Sequence, residues 1–240
     1  MTITSLVGIQ TAPVFRRQFT IFGNEANGGI PRHLNGSGFT IPPNPGEAKA
    51  YLSSVNTNLY YTSAIKHGNF IVLDIIWSVV VTNSTALQTY TTPNIGNRDM
   101  NGTQRGDGVY LLIYTGSNIV GATTTLSVNY TSSDGNIGRV GQTMAFNSPG
   151  GGRAFFVNLA NGDTGVRSVQ AAQFSALPGG GMNLLAVRPI AVIPAPAVVS
   201  NDASADAISL GLPEIYTGSN ISIFYNLTGQ VFGEMRFIYG

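Results

Sequence analysis

The chain has 240 residues, only 10% of them charged, with 12 Lys and Arg against 11 Asp and Glu and a formal net charge of +1. A balance this sparse excludes nucleic-acid binding, which needs clustered basic side chains to neutralise several phosphates; Arg16-Arg17 is the sole adjacent basic pair. Cysteine is absent, which removes disulfides and thiolate metal sites, and no apolar run approaches the ~18 residues of a membrane span.

Residues 1–47 differ from the rest. The opening MTITSLVGIQ lacks the basic region of a secretory signal, so export by the general route is not expected. VFRRQFTIFG (14–23) reads as one strand, although Phe15, Phe19 and Phe22 also fit one face of a short helix. Around it TAP, GNEANGGIP, NGSG and IPPNPGE are rich in Gly, Pro and Asn, and Pro31, Pro42, Pro43 and Pro45 prevent a helix. So long a stretch without periodicity is usually functional. Its aromatic residues favour an extended arm that orders against a partner over a disordered tail, because disordered tails are aromatic-poor. Phe15, Arg16, Arg17, Phe19 and Phe22 are the candidate partner-binding residues of that arm.

From residue 48 to 240 short strands follow one another. The pattern predicts them over 48–55, 70–82, 108–114, 123–131, 137–146, 153–159, 166–176, 183–193, 221–227 and 230–239, with β-branched and aromatic residues inside and Asn-Gly, Asp-Gly or Gly-Gly between. Any helix is short, since no apolar stripe of period 3.6 appears. The expected fold is all-β: an antiparallel two-sheet sandwich, jelly-roll-like, behind the extended arm. A Pro/Ala/Ser-rich connection (193–216) precedes a C-terminal hairpin and is expected to cover a sheet edge or to lead the last two strands to the other sheet or to a neighbouring subunit. The hexapeptide YTGSNI occurs at Tyr114–Ile119 and at Tyr216–Ile221, but the flanks do not match. A turn solution used twice explains it better than domain duplication.

The inventory for catalysis is thin. His33 and His67 lie in turn-like sequence without a carboxylate or nucleophile at a useful spacing, so neither a metal nor a cofactor is expected. Asp74 interrupts the apolar run FIVLDIIW three residues before the single tryptophan, Trp77. A carboxyl in apolar surroundings is a candidate general acid; pinning a loop is the simpler role, because no second acid is evident. Arg105-Gly106-Asp107 matches an integrin-binding tripeptide but reads more simply as a turn opening the next strand. Asp134-Gly135 fits a hairpin turn, with calcium at Asp134 and Asn136 the weaker alternative. In NGDTGVRSVQ, Arg167 is expected to pair with an acid across the sheet. Sequons such as those at Asn83 and Asn129 follow from composition.

Several of these marks fall in a recognisable order: Tyr51-Leu52, then Asp74 to Trp77, Arg98 to Gly102, Asp163 to Gln170, and Ile193 to Pro196. The set resembles a family of tailed-bacteriophage virion structural proteins. Members of that family carry D-R-L-W where this chain has Asp74-Ile75-Ile76-Trp77, so an ion pair made by that arginine is missing here. The resemblance implies a particle component without catalytic residues, located in the virion and assembled in the host cytoplasm. A capsid decoration or cement protein is the leading reading, with the arm binding across subunits of the major capsid protein and the chain itself a closed, symmetric homo-oligomer, with a trimer expected. A tail, fibre or receptor-binding component is the alternative, with Tyr60, Tyr61 and Tyr90 as candidate glycan contacts. An enzyme built on Asp74 is the least favoured.

Overall fold

A computed structural model describes residues 14–23, 32–33, 39–40, 50–60, 68–92, 94–115, 119–147, 153–195, 202–205, 210–211, 213–225 and 229–239. The backbone alone is described before residue 71, at 194–195, 202–205, 223 and 225, and across 229–239 except Met235. The strands in chain order are β1 (Val14–Gly23), β2 (Arg32–His33), β3 (Phe39–Thr40), β4 (Ala50–Tyr60), β5 (Gly68–Val81), β6 (Gln88–Thr89), β7 (Tyr110–Thr115) and β8 (Leu126–Ser132). They continue as β9 (Arg139–Thr143), β10 (Arg153–Asn158), β11 (Val166–Phe174), β12 (Met182–Ala195), β13 (Asp202–Ala205), β14 (Glu214–Ile215), β15 (Asn220–Tyr225) and β16 (Gly229–Tyr239). One 3-10 turn, Ile95–Arg98, separates β6 from β7. The fold is all-β and its strand pairs are antiparallel.

The chain divides into two compact units, and the division falls inside β5 and inside β12. The terminal unit comprises Met1–Gly29, Gly36–Val72 and Ile190–Gly240. Its five-stranded sheet runs β1-β16-β4-β13, with β14 also on β4. All ten residues of β1 face β16, from Val14 opposite Ile238 to Gly23 opposite Gly229. The 14–23 segment is therefore a strand rather than a short helix, and its hydrogen-bonded neighbour is this chain's own C-terminal strand. The Pro/Ala/Ser-rich connection contributes two short strands, β13 and β14, which both pair with β4.

The central unit comprises Ile30–Asn35 and Leu73–Pro189. Its strand order is β5-β12-β7-β10-β9-β8-β11-β6, with β2 on β10. Local sequence explains the elements. In β8 alternate residues Leu126, Val128 and Tyr130 are buried between half-exposed Ser127, Asn129 and Thr131, the period-2 pattern of a half-buried strand. The β8–β9 hairpin closes on Asp134-Gly135, where Gly135 takes φ +85° and donates its amide to Ser132. In β11 the buried residues Val166, Val169, Ala172 and Phe174 do not alternate strictly. Register shifts between Val166 and Ser168 and between Val169 and Ala171 bring them to one face.

One core joins both ends of this strand order. Val81 of β5, Leu111 and Ile113 of β7, Leu126, Val128 and Tyr130 of β8, Phe155 and Val157 of β10, and Val166 and Phe174 of β11 all belong to it. Strands at opposite ends of a flat sheet cannot share a core, so the sheet of the central unit curls. The Trp77 ring of β5 meets Tyr90, just after β6, edge to face, and Tyr90 is tied to β11 through its amide and the Gln170 carbonyl. Phe146 and Phe155 stack inside, with ring centroids 4.8 Å apart.

Candidate functional site

Of the acidic residues singled out in the sequence, Asp134 is exposed in the β8–β9 turn and the others lie in two clusters, both in the central unit. The first surrounds residues 95–108. Asn94 caps the 3-10 turn by accepting from the Gly96 amide. At the turn's end Arg98 reaches back to β5: its guanidinium lies 3.5 Å from the Asp74 carboxylate and donates to the Ile75 carbonyl at 3.0 Å. Arg188 of β12 approaches the other Asp74 oxygen at 3.8 Å. Asp74 is fully buried between the two arginines, which makes it an anchor for the turn and not a proton donor poised in a cleft. Asp74 thus meets arginines from two other places in the chain, the 3-10 turn and β12.

Asp99 organises the loop that follows. Its buried carboxylate accepts from the Thr103 amide and hydroxyl and from the amides of Arg105 and Gly106. Burial alone raises the Asp99 carboxyl, but the Thr103 hydroxyl and the three amides outweigh it and hold the group below the usual carboxylate range. The loop packs without slack against the start of β11. A Cβ on Gly106 would lie 2.1 Å from the Val166 carbonyl oxygen, and Gly106 has φ +92°. The Arg105-Gly106-Asp107 tripeptide is consequently built into the fold, with Gly106 buried and Asp107 bridged to Gly165.

The second cluster joins Tyr130, Arg139 and Asp163. The Tyr130 hydroxyl donates to Asp163 Oδ2 and accepts from the Ala160 amide, and Arg139 Nε donates to the same carboxylate oxygen at 3.0 Å. Burial, and then the adjacent carboxylate, push the Tyr130 phenol up to about 12. Burial would raise Asp163, but the Arg139 and Tyr130 hydrogen bonds prevail and keep it low. The partner of Asp163 is Arg139, not Arg167, which stays exposed on β11. Beside this cluster lies an open depression of about 530 Å³, lined by Tyr110 of β7, Phe156 and Asn158 of β10, Pro189 of β12 and the 159–163 turn.

The partner-binding candidates Phe15, Arg16, Arg17, Phe19 and Phe22 stand on β1, opposite Phe237, Arg236, Met235, Gly233 and Gln230; their side chains are outside the description. His33 ends β2, whereas His67 and Tyr61 fall outside the described residues. Tyr60 ends β4, and its side chain is likewise outside. Tyr90 is packed on Trp77, with its hydroxyl buried, which removes it as an open glycan contact. Among the described residues no three His, Cys, Asp or Glu side chains converge on a metal position. Sequence reading missed Arg188, Arg139, Tyr130, Tyr110 and Phe156. For Arg188 a signal existed: it breaks the apolar run MNLLAVRPIAVI as Asp74 breaks FIVLDIIW. The others carry no local mark.

No protein-family model matches the chain, and no curated protein matches it. Among solved structures it is similar to a chain of the infectious bursal disease virus Gt strain, at 10% identity and a TM-score of 0.22, covering 95% of this chain and 81% of that one. A chain of the T13 particle of the same virus aligns at 12% identity and a TM-score of 0.19, over 93% of this chain and 39% of that one. Superpositions this loose define no common fold, and nothing below is built on them.

Proposed function

We propose that the chain is a structural component of a virus particle, most specifically a decoration or cement protein on the head of a tailed bacteriophage. The observation that carries this reading is how the family-like motifs are spent. Asp74, Arg98 and Asp99 are engaged by other side chains and by backbone amides, and Asp163 is fixed in place by Tyr130 and Arg139, which supports reading the ordered motif set as architecture. A rigid all-β body with so few charges lets many copies sit close together without mutual repulsion. Avidity then compensates for a modest single contact.

In this reading the 1–47 segment makes the partner contact, with Phe15, Arg16, Arg17, Phe19 and Phe22 as its anchors against the major capsid protein or a neighbouring copy. β1 stands at the end of the path β1-β16-β4-β13, the position at which a strand from another subunit can add. A jelly-roll sandwich and a trimer remain the finer form of the proposal, and no catalysis is assigned. Imaging of purified particles with quantitative mass spectrometry tests it. Hundreds of copies over the head support decoration, and absence from the particle overturns the reading. The tail or receptor-binding alternative predicts a handful of copies; the open aromatic depression at Tyr110 and Phe156 favours it.

A further inference from the structure

We propose that the depression between β7, β10 and the 159–163 turn is a binding site for a neutral pyranose sugar. The backbone sets the platform. Phe156 pairs with Leu112 in the β7–β10 ladder, so Tyr110, two residues before Leu112 on β7, is its diagonal neighbour on the same face. Such diagonal positions lie ~7–8 Å apart, within reach for two rings to form one surface. The two rings line the depression and stay 37% and 39% exposed. Leu112 beside them is fully buried. Aromatic faces left open in a concavity suit the C–H face of a sugar ring.

The polar wall supplies the complement. Asn158 follows Phe156 on the same face of β10, and Asn161 tops the turn at Gly162; both are exposed and each offers a donor and an acceptor. Asp163 is the directional group. Its side chain is only 4% exposed, yet it lines the depression. Both of its donors, Tyr130 and Arg139, take the same oxygen, Oδ2. Among the described residues no donor reaches Oδ1, so the carboxylate is held ionised and oriented with one acceptor to spare. A vicinal pair of sugar hydroxyls presents the donors that this oxygen and the two asparagines lack. The Arg139–Asp163 pair leaves no net charge on the wall, and its negative member is the one that lines the depression, so the ligand is neutral rather than anionic.

The site belongs to the central unit alone and holds wherever the chain sits in a particle, so its failure and that of the structural role are read separately. The test is saturation-transfer NMR on the full chain with methyl pyranosides of glucose, galactose, mannose, N-acetylglucosamine and rhamnose, and with glucuronic acid. The expected result is millimolar binding of at least one neutral sugar, glucuronic acid being weaker. Tyr110→Ala and Phe156→Ala should each weaken it at least about tenfold, while Tyr110→Phe retains it. Unchanged thermal midpoints, followed by Trp77 fluorescence, separate loss of binding from loss of fold. No binding across the panel, a preference for the glucuronate, or binding indifferent to both alanine variants overturns the proposal.

Discussion

Trp77 and Tyr90 meet edge to face to close the curl of the central unit, their ring centroids 6.0 Å apart and their planes at 71°. The contact holds the first strand of that unit's order against the last. It has one defect: among the described residues the buried Tyr90 hydroxyl has no hydrogen-bond partner, and burial raises its pKa.

Tyr90→Phe should therefore stabilise the protein. The ring contact with Trp77 remains, while the cost of an unsatisfied buried hydroxyl disappears, a gain of about 1 kcal/mol. Urea unfolding followed by Trp77 fluorescence measures it; a midpoint lowered by the substitution would contradict the assignment.

Asp74 should be the most sensitive acid. Asp74→Ala removes the buried carboxylate that faces both Arg98 and Arg188, the latter 5% exposed at the side chain. Breaking a buried ion pair from one side costs about 3–5 kcal/mol. Arg98→Ala should cost less, because Arg188 still faces Asp74. The same unfolding assay ranks the two, and equal losses would count against a shared carboxylate.

Two glycines with nearly the same backbone conformation separate conformational strain from steric contact. Gly106 and Gly162 have φ of +92° and +88°, but a Cβ at Gly162 meets nothing within 4 Å, whereas one at Gly106 runs into the Val166 backbone. Gly162→Ala should lose about 1 kcal/mol for the left-handed conformation. Gly106→Ala should lose several times that, or fail to fold, because carbonyl backbone cannot move aside. Thermal midpoints of the two variants give the comparison.

Stability should fall in acid and again in strong base. The folded Asp99 and Asp163 carboxyls lie below their unfolded value of about 3.9, so the stability they confer is present above about pH 4 and is lost as pH drops through the folded values. Tyr130 has the opposite sign. Its folded phenol is raised to about 12, so its contribution is complete below the unfolded value of about 10 and disappears between there and 12. Urea midpoints against pH check both limbs. Asp99→Asn should flatten the acid limb, and Tyr130→Phe the alkaline one.

Much of the architecture was readable before any coordinate. The period-2 burial of β8, the Asp134-Gly135 hairpin, the long strands β5 and β12 and the shorter β10 lie close to where β-branched runs and glycine turns place them. Short strands such as β2, β6 and β14 were invisible, since two residues carry no periodicity. The two copies of YTGSNI also part company. Tyr114 and Thr115 finish β7, whereas Tyr216 precedes a turn at Thr217 and Gly218 that leads into β15. Identical letters adopt different states because the neighbouring strands differ.

Composition and local pattern are enough to make this chain a lightly charged antiparallel β-protein with glycine turns, because strand propensity and turn chemistry act over a few residues at a time. Pairing across long stretches of chain is another matter. That Asp74 lies between Arg98 and Arg188, that Asp163 takes Arg139, and that Tyr110 and Phe156 share one open hollow all depend on strand order and register. Those are set by how the whole sheet buries its apolar face, and no stretch of sequence read by itself contains that information.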